Sequence, residues 1–420
     1  MSRPRVDLLA PPFRGHLHPL LGLGRALAEI ADVRVLTGAE LLPEVAASGL
    51  AGHALLRGHE RTIAAVANPP HAVGRHPLRL ARQFRAALAM LAHLREELLA
   101  LYTREPPALV IADSVLPVAG LVATELGLPW WTAAASPCAL EPRTGAPGYL
   151  GGWSPRDDVW GRVRDGAGRA FVRLFKQAVF LSHRRRLRAL GLARLYRANG
   201  DEAIYSPEMI LGFGLAELEF PRRWPAAFRF IGPVLYTPPD ASPPPVLEPG
   251  TIPVLVTFGT QLPWIKDAMA AAAAALAREL PGLVVHFSDG RPGGAAIQAE
   301  GNFHRHAYVS YARDLEKFAL VVHHGGAGVM YHCIRAGRPC VVWPVDYDQF
   351  DHAARIERAG IGLRVRRASD LVGAVRRALS DPALGENARR LQHATTAYRP
   401  ESTVRALVVQ RLRPPASGPP

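Results

Sequence analysis

Short apolar runs alternate with amphipathic stretches along the chain, and the alternation is interrupted once. Residues 5–10 form an apolar run of strand length; a helical pattern over 19–30 follows, with Pro19 suited to its first turn, and then a second run at 33–37. A long helical stretch covers about 77–102, a strand 108–112, a helix the residues through Glu125, and another strand 128–132. Between 236 and 250 the chain reads YTPPDASPPPVLEPG, which has no periodicity and forms a semi-rigid linker. The alternation then restarts with a strand at 252–258 and a helix for which Asp267 serves as N-cap. Strands at 283–287, 319–323 and 340–343 follow, with helices at 327–336, 351–359 and from Ser369 onward.

Strand–helix alternation of this kind predicts parallel sheets covered by helices, the α/β class. The pattern divides into two Rossmann-like, doubly wound domains, 1–235 and 251–395, joined by the linker 236–250 and facing each other across a cleft. Ligands of such sheets bind outside the carboxyl ends of the strands. The last residues, 413–420, read as a disordered tail.

Composition agrees with a globular chain. Its 420 residues are 49% hydrophobic and 20% charged, enough for two domains of about 200 residues each. Three cysteines, Cys138, Cys333 and Cys340, are odd in number and lack metal-ligand spacing, which points to a reducing compartment. The apolar stretch 6–13 is too short for a signal peptide and carries Asp7, and no run reaches the ~18 apolar residues of a membrane span. A cytoplasmic location is expected.

The net charge of +14 is mostly arginine. Between 156 and 197 twelve basic residues face only three acidic ones, with Trp160, Phe171, Phe175, Val179 and Phe180 interleaved. A helix of that composition can lie peripherally on anionic lipid at the inner membrane face, or it can be a solvated face. No basic stripe joins a nucleic-acid-binding motif, so no nucleic acid is expected as a partner.

Two groups of residues carry candidate chemistry. In the rear half, Gly325, Gly326 and Gly328 follow a buried strand and open a helix. Glycines let a backbone approach a ligand, and the free N–H groups from Ala327 to Met330 can hold a diphosphate at the positive end of the helix dipole. Gly259 and Thr260 end another strand and could meet the same phosphates. A glycine turn alone also occurs where no phosphate binds. In the front half Gly15 makes a turn after the first strand and His16 stands at that strand's carboxyl end, facing the cleft. Asp113 closes the buried strand LVIAD, where a carboxylate is costly unless paired, although it could also cap the next helix. A hydroxyl is a poor nucleophile, and an imidazole oriented by a carboxylate can take its proton near neutral pH.

The run LVVHHGGAGVMYHCIRAGRPCVVWPVDYDQFDHAARI, residues 320–356, resembles the donor-binding signature of glycosyltransferase family 1. The likeness extends more loosely over nearly the full chain. It implies a GT-B fold, a nucleotide-sugar donor held by the rear domain, no metal and no further cofactor. By that resemblance His324 and the glycine turn contact the diphosphate, Asp348 and Gln349 bind sugar hydroxyls, and a main-chain group near Val309 pairs with the base. His16 in G-H-x-x-P matches the general base, with Asp113 as its partner, and a helix over 396–412 packs back onto the first domain.

Two departures bear on the donor. Val329 stands where many members carry Ser or Thr, which removes a phosphate contact. His332 replaces a glutamate that grips the ribose in UDP-sugar enzymes, which makes a dTDP-sugar plausible alongside UDP. The stretch DQFDHAARI resembles rhamnolipid-type rhamnosyltransferases. The implied reaction is inverting transfer of a hexose or deoxyhexose to a hydroxyl of an apolar small molecule or lipid. Trp130, Trp131, Trp153, Trp160 and the segment 137–149 suggest an apolar acceptor pocket. Other readings are an impaired auxiliary protein, a nucleotide-sugar epimerase, a metal-bound diphosphate at Asp346 and Asp348, and an amidohydrolase-like H-x-H at His16 and His18.

Overall fold

The computed structural model describes residues 3–74, 76–239, 242–294 and 298–413. Of the expected tail, 413–420, residues 414–420 lie outside the described residues, as do residues 240 and 241 of the expected linker. The front sheet contains β1 (Arg5–Leu9), β2 (Asp32–Gly38), β3 (Ala51–Leu55), β4 (Leu109–Asp113), β5 (Trp130–Ala134), β6 (Ile210–Gly212) and β7 (Phe228–Phe230). All its pairings are parallel, in the order β3-β2-β1-β4-β5-β6-β7. Helices α1 (Arg14–Leu27), α2 (Leu42–Ala47), α3 (Glu60–Ala67), α4 (Pro77–Arg104), α5 (Pro117–Glu125), α6 (Val159–Ser182) and α7 (Arg184–Ala189) accompany it. Both faces are covered, so β4 is apolar on both and every residue of it is buried.

The rear sheet contains β8 (Ile252–Thr257), β9 (Leu283–Ser288), β10 (Gln298–Glu300), β11 (Phe303–His306), β12 (Leu320–His323), β13 (Cys340–Val342) and β14 (Gly362–Arg364). Its order is β10-β11-β9-β8-β12-β13-β14, parallel except for the edge pair β10 and β11. Its helices are α8 (Lys266–Glu279), α9 (Tyr311–Asp314), α10 (Ala327–Arg335), α11 (Gln349–Ala359), α12 (Leu371–Ser380), α13 (Pro382–Thr395) and α14 (Pro400–Leu412). Chain direction across the sheet reverses between β1 and β4 in front and between β8 and β12 behind. These are the switch points at whose carboxyl ends such folds bind ligands.

The last helix leaves the rear sheet. Val404, Leu407 and Val408 of α14 enter the same apolar core as Val6, Leu8 and Leu17, and Arg405 and Arg411 form ion pairs with Glu29 and Glu208.

Several local expectations are corrected. Helix α1 begins at Arg14, so Gly15 is helical and makes no turn, and Pro19 lies inside the helix. Buried Leu17, Leu20, Leu21 and Leu23 anchor this helix to the core, and tertiary packing outweighs the bond that Pro19 cannot make. Asp267 does not cap α8, because the helix begins one residue earlier at Lys266 with Ile265 at the N-cap position; its exposed carboxylate pairs with Arg305. Trp130 and Trp131 are core residues of β5: one ring packs on Gly120, and the other indole donates to Glu208. Trp160 faces outward on α6. These three tryptophans therefore wall no acceptor pocket.

Candidate active site

His16 belongs to the first turn of α1, at the carboxyl end of β1, and Asp113 ends the adjacent β4. His16 Nδ1 and Asp113 Oδ2 are 2.9 Å apart. Because a carboxylate only accepts, the shared proton sits on Nδ1 and Nε2 keeps its lone pair. The other oxygen, Oδ1, accepts from the Val115 amide at 2.9 Å. Asp113 thus divides its oxygens between the imidazole and a local turn, while the N-cap position of α5 falls to Leu116. The carboxylate is buried and the imidazole is 30% exposed. Burial opposes charge on His16, but the charge and hydrogen bond of Asp113, with the charge of Asp348, outweigh it and raise the pKa. Asp348 belongs to the rear half, which meets the front half through hydrogen bonds such as those of Asp346 with the Val73 and Gly74 amides.

The rear wall is the glycine turn between β12 and α10. Gly325 has φ +93°, and a Cβ there would fall 2.9 Å from the Gln349 carbonyl oxygen. A Cβ on Gly326 would fall 2.5 Å from His324 Nε2. Two buried histidines fasten the turn: the Gly325 amide donates to His323 Nδ1 at 3.0 Å, and His352 Nδ1 donates to the Gly325 carbonyl at 2.7 Å. Gly326 is the N-cap of α10, so the first amides, of Ala327, Gly328 and Val329, have no partner within the helix. Gly328 is exposed and has open space where a Cβ would stand. The Val329 side chain is buried in the rear core, so its amide, and not its side chain, belongs to the helix mouth.

His324 lies over the same opening, tilted against Phe258. Burial lowers its pKa to about 4, with Asp348 pulling upward and Lys266 downward. Gly259, at φ +66°, lets the β8 turn pass close to this ring, with Thr260 half-buried beside it. Lys266 donates to the Gly259 carbonyl at 2.8 Å and also to the Asp289 carbonyl. Burial chiefly lowers Lys266, to about 8, and Arg14 of the front half is among the cations acting on it.

Asp348 is half-buried at the start of α11. Gln349 is buried, and its Oε1 accepts from the amides of Val345 and Asp346 at 2.8 and 3.0 Å. Only the amide nitrogen of Gln349 remains for a ligand. Asp346 is committed across the cleft, accepting from Val73 and Gly74 at 2.8 and 3.0 Å. Other crossings are Asp351 with the Tyr149 amide, Arg364 with the Gly151 carbonyl, and the buried pair Arg355 and Glu219 at 2.8 Å. The two halves lie closed on each other.

Farther along the cleft, His332 is buried with its ring edge-on to Tyr311. Burial lowers its pKa to about 4, with contributions from Arg335 and from His18 of the front half. The Val309 side chain is fully buried in the rear core, so only its main chain is available to a ligand. His18 pairs with Glu44 at 3.0 Å, and Glu44 also holds Arg14. His16 and His18 thus take different carboxylates and form no shared metal set. Among the described residues, Cys138, Asp348 and His352 bring ligand atoms within 4.8 Å of one another. Burial pushes the Cys138 thiol well up, and His352 Nδ1 of this group is already committed to the Gly325 carbonyl.

Sequence reasoning missed Lys266, Arg14, His323, His352 and Tyr149. His352 had a usable signal, standing one helical turn after Asp348 in DQFDH. Lys266 and Tyr149 had none: Lys266 opens α8 and is brought to the β8 turn by tertiary packing, and Tyr149 reaches the site from a loop.

Residues 272–412 match the family model described as erythromycin biosynthesis protein CIII-like, C-terminal domain. The chain is 35% identical over 202 residues to O-mycaminosyltylonolide 6-deoxyallosyltransferase of Streptomyces fradiae, covering 44% of this chain and 46% of that protein. It is 29% identical over 312 residues to 4'-demethylrebeccamycin synthase of Lentzea aerocolonigenes, covering 70% and 72%. The match therefore spans about half of the first relative's length. The glycosyltransferase of kitacinnamycin has the same fold, with TM-score 0.74, 20% identity and coverage of 98% and 100%. Glycosyltransferase SsfS6 of Streptomyces sp. SF2575 also shares it, with TM-score 0.67, 21% identity and coverage of 97% and 100%.

Proposed function

We propose, from the premise that this chain belongs to the GT-B glycosyltransferases of family 1, natural-product type, that it is an inverting glycosyltransferase with a nucleotide diphosphate sugar donor. The observation that carries this reading is the His16–Asp113 pair, whose free Nε2 shares the cleft with Asp348. Nε2 takes the proton of the acceptor hydroxyl, and the oxygen attacks the anomeric carbon opposite the leaving diphosphate. One displacement inverts the configuration. The Nδ1–H bond to Asp113 stabilises the imidazolium as it forms.

The leaving diphosphate lies at the α10 mouth, where the amides of Ala327, Gly328 and Val329, the His324 ring and the Lys266 charge offset its growing negative charge. Asp348 and the amide nitrogen of Gln349 hold the sugar hydroxyls. The contacts between the halves exclude water that would otherwise hydrolyse the donor. No step in this reaction calls for a metal.

For the nucleotide we favour a dTDP-sugar over a UDP-sugar, the sugar being a hexose or deoxyhexose. His332 offers a neutral ring where a ribose-gripping carboxylate would stand, and the SsfS6 structure was obtained with thymidine diphosphate. The acceptor is an apolar hydroxylated molecule. Incubation with dTDP- and UDP-sugars and a panel of apolar alcohols tests the proposal, read as nucleotide release and product anomeric configuration. Retained configuration, or release that no acceptor accelerates, would sink it.

A further inference from the structure

Helix α6 wears its apolar side outward. At 100° per residue, Trp160, Val163, Phe171, Leu174, Phe175 and Leu181 fall in one sector of the helix, and all are exposed, Trp160 by 78% and Leu174 by 69%. The inward side is mostly polar or small: Gly161, Gly168 and Asp165 are buried and Lys176 pairs with Glu141 and Glu202, while Phe180 near the end of the helix is the one large apolar side chain of α6 that enters the core. A surface helix of a globular protein normally has the opposite arrangement. The stripe runs the length of a 24-residue helix, about 36 Å at the helical rise. A continuous exposed apolar face of that size marks a surface that something covers.

At its carboxyl end the stripe meets a cationic cluster. Arg184, Arg185, Arg186 and Arg188 of α7 are exposed, and among the described residues none forms an ion pair. We infer that the outer face of α6, with these four arginines, docks on an anionic lipid surface. The charge decides between occupants. A second copy would bring its own +14 charge and the same arginines, whereas anionic headgroups complement the cluster while the apolar stripe enters the acyl boundary.

The placement bears on the proposed reaction, and this part rests on that reading. Gly168 on the inner side of α6 lets Pro147 and Trp153 approach closely, and the same loop bonds to α11 through Tyr149 and Asp351. One loop therefore joins the lipid-facing helix to the sugar side of the cleft, so an apolar acceptor dissolved in lipid would enter next to Asp348.

The test is co-sedimentation of the full chain with vesicles of phosphatidylcholine alone or mixed with phosphatidylglycerol. Wild type is expected to bind the anionic vesicles at least ~10-fold better and to release them in high salt. Phe171→Ser with Leu174→Ser and Phe175→Ser, or Arg184→Glu with Arg186→Glu, should abolish binding. Circular dichroism checks that the exposed substitutions leave the fold intact. Equal binding by wild type and variants overturns the inference, as does indifference to headgroup charge. So does a dimer in light scattering that the serine variant dissolves, or a stoichiometric acidic protein partner on this face. Nucleotide release with a water-soluble acceptor, measured in parallel, separates a failed docking surface from a failed enzyme.

Discussion

At His16 burial opposes protonation, while Asp113 and Asp348 favour it, and the balance leaves the pKa raised. A base must be neutral to act, so transfer should rise with pH as His16 loses its proton, and the ascending limb should lie above the ordinary histidine value of about 6.5. Asp113→Asn removes the charge and the ionic hydrogen bond that raise it. That variant should shift the limb to lower pH and also slow the plateau rate, because the tautomer is no longer fixed. His16→Ala should reduce transfer by ~100-fold or more while sparing donor binding; a rate profile against pH, with donor affinity measured separately, checks both. At His332 the side chain is buried and neutral. His332→Glu should raise affinity for UDP relative to dTDP in competition assays if this position reads the ribose.

At the scale of elements, the strand–glycine–helix unit of β12 and α10 combines backbone conformation with packing. Gly325→Ala would force a side chain into φ +93° and against the Gln349 carbonyl. The cost should be about 1–3 kcal/mol of backbone strain, seen as a lower thermal midpoint, together with loss of the nucleotide-induced thermal shift. The unit was legible because a buried apolar run followed by GGAG has few other foldings. Helix α1 was less so. The proline suggested a start at residue 19, yet the helix begins at Arg14, with Leu17 buried ahead of the proline and Leu20, Leu21, Leu23 and Leu27 buried after it.

For the whole molecule, closure combines a few polar contacts between the halves with Leu215 and Leu218 of the front half, which are buried in the rear core. Arg355 and Glu219 are buried together, with the guanidinium over the Phe220 ring at 4.3 Å. Removing one partner leaves a buried charge unpaired, which typically costs about 3–5 kcal/mol. Glu219→Ala should accordingly lower the denaturation midpoint and weaken coupling between donor binding and activity; equilibrium denaturation with and without dTDP measures both. Asp346 was read in the sequence as a possible metal ligand beside Asp348. The structure spends it on the amides of Val73 and Gly74, residues more than 270 positions away along the chain, which no local pattern could join to it.

The sequence by itself determined the two sheets and the glycine turn before α10, because strand period and glycine placement are local properties, and the cost of a buried carboxylate marked Asp113 as paired; that His16 is its partner is what the resemblance to family 1 implied. Only the tertiary structure decided which side chains share the cleft. Trp130 and Trp131 went to the core, Lys266 entered from the start of α8 and Tyr149 from a loop, and α6 turned its apolar side outward. Those outcomes follow from packing between distant segments, where burial of one face leaves the other exposed whatever its own periodicity suggests.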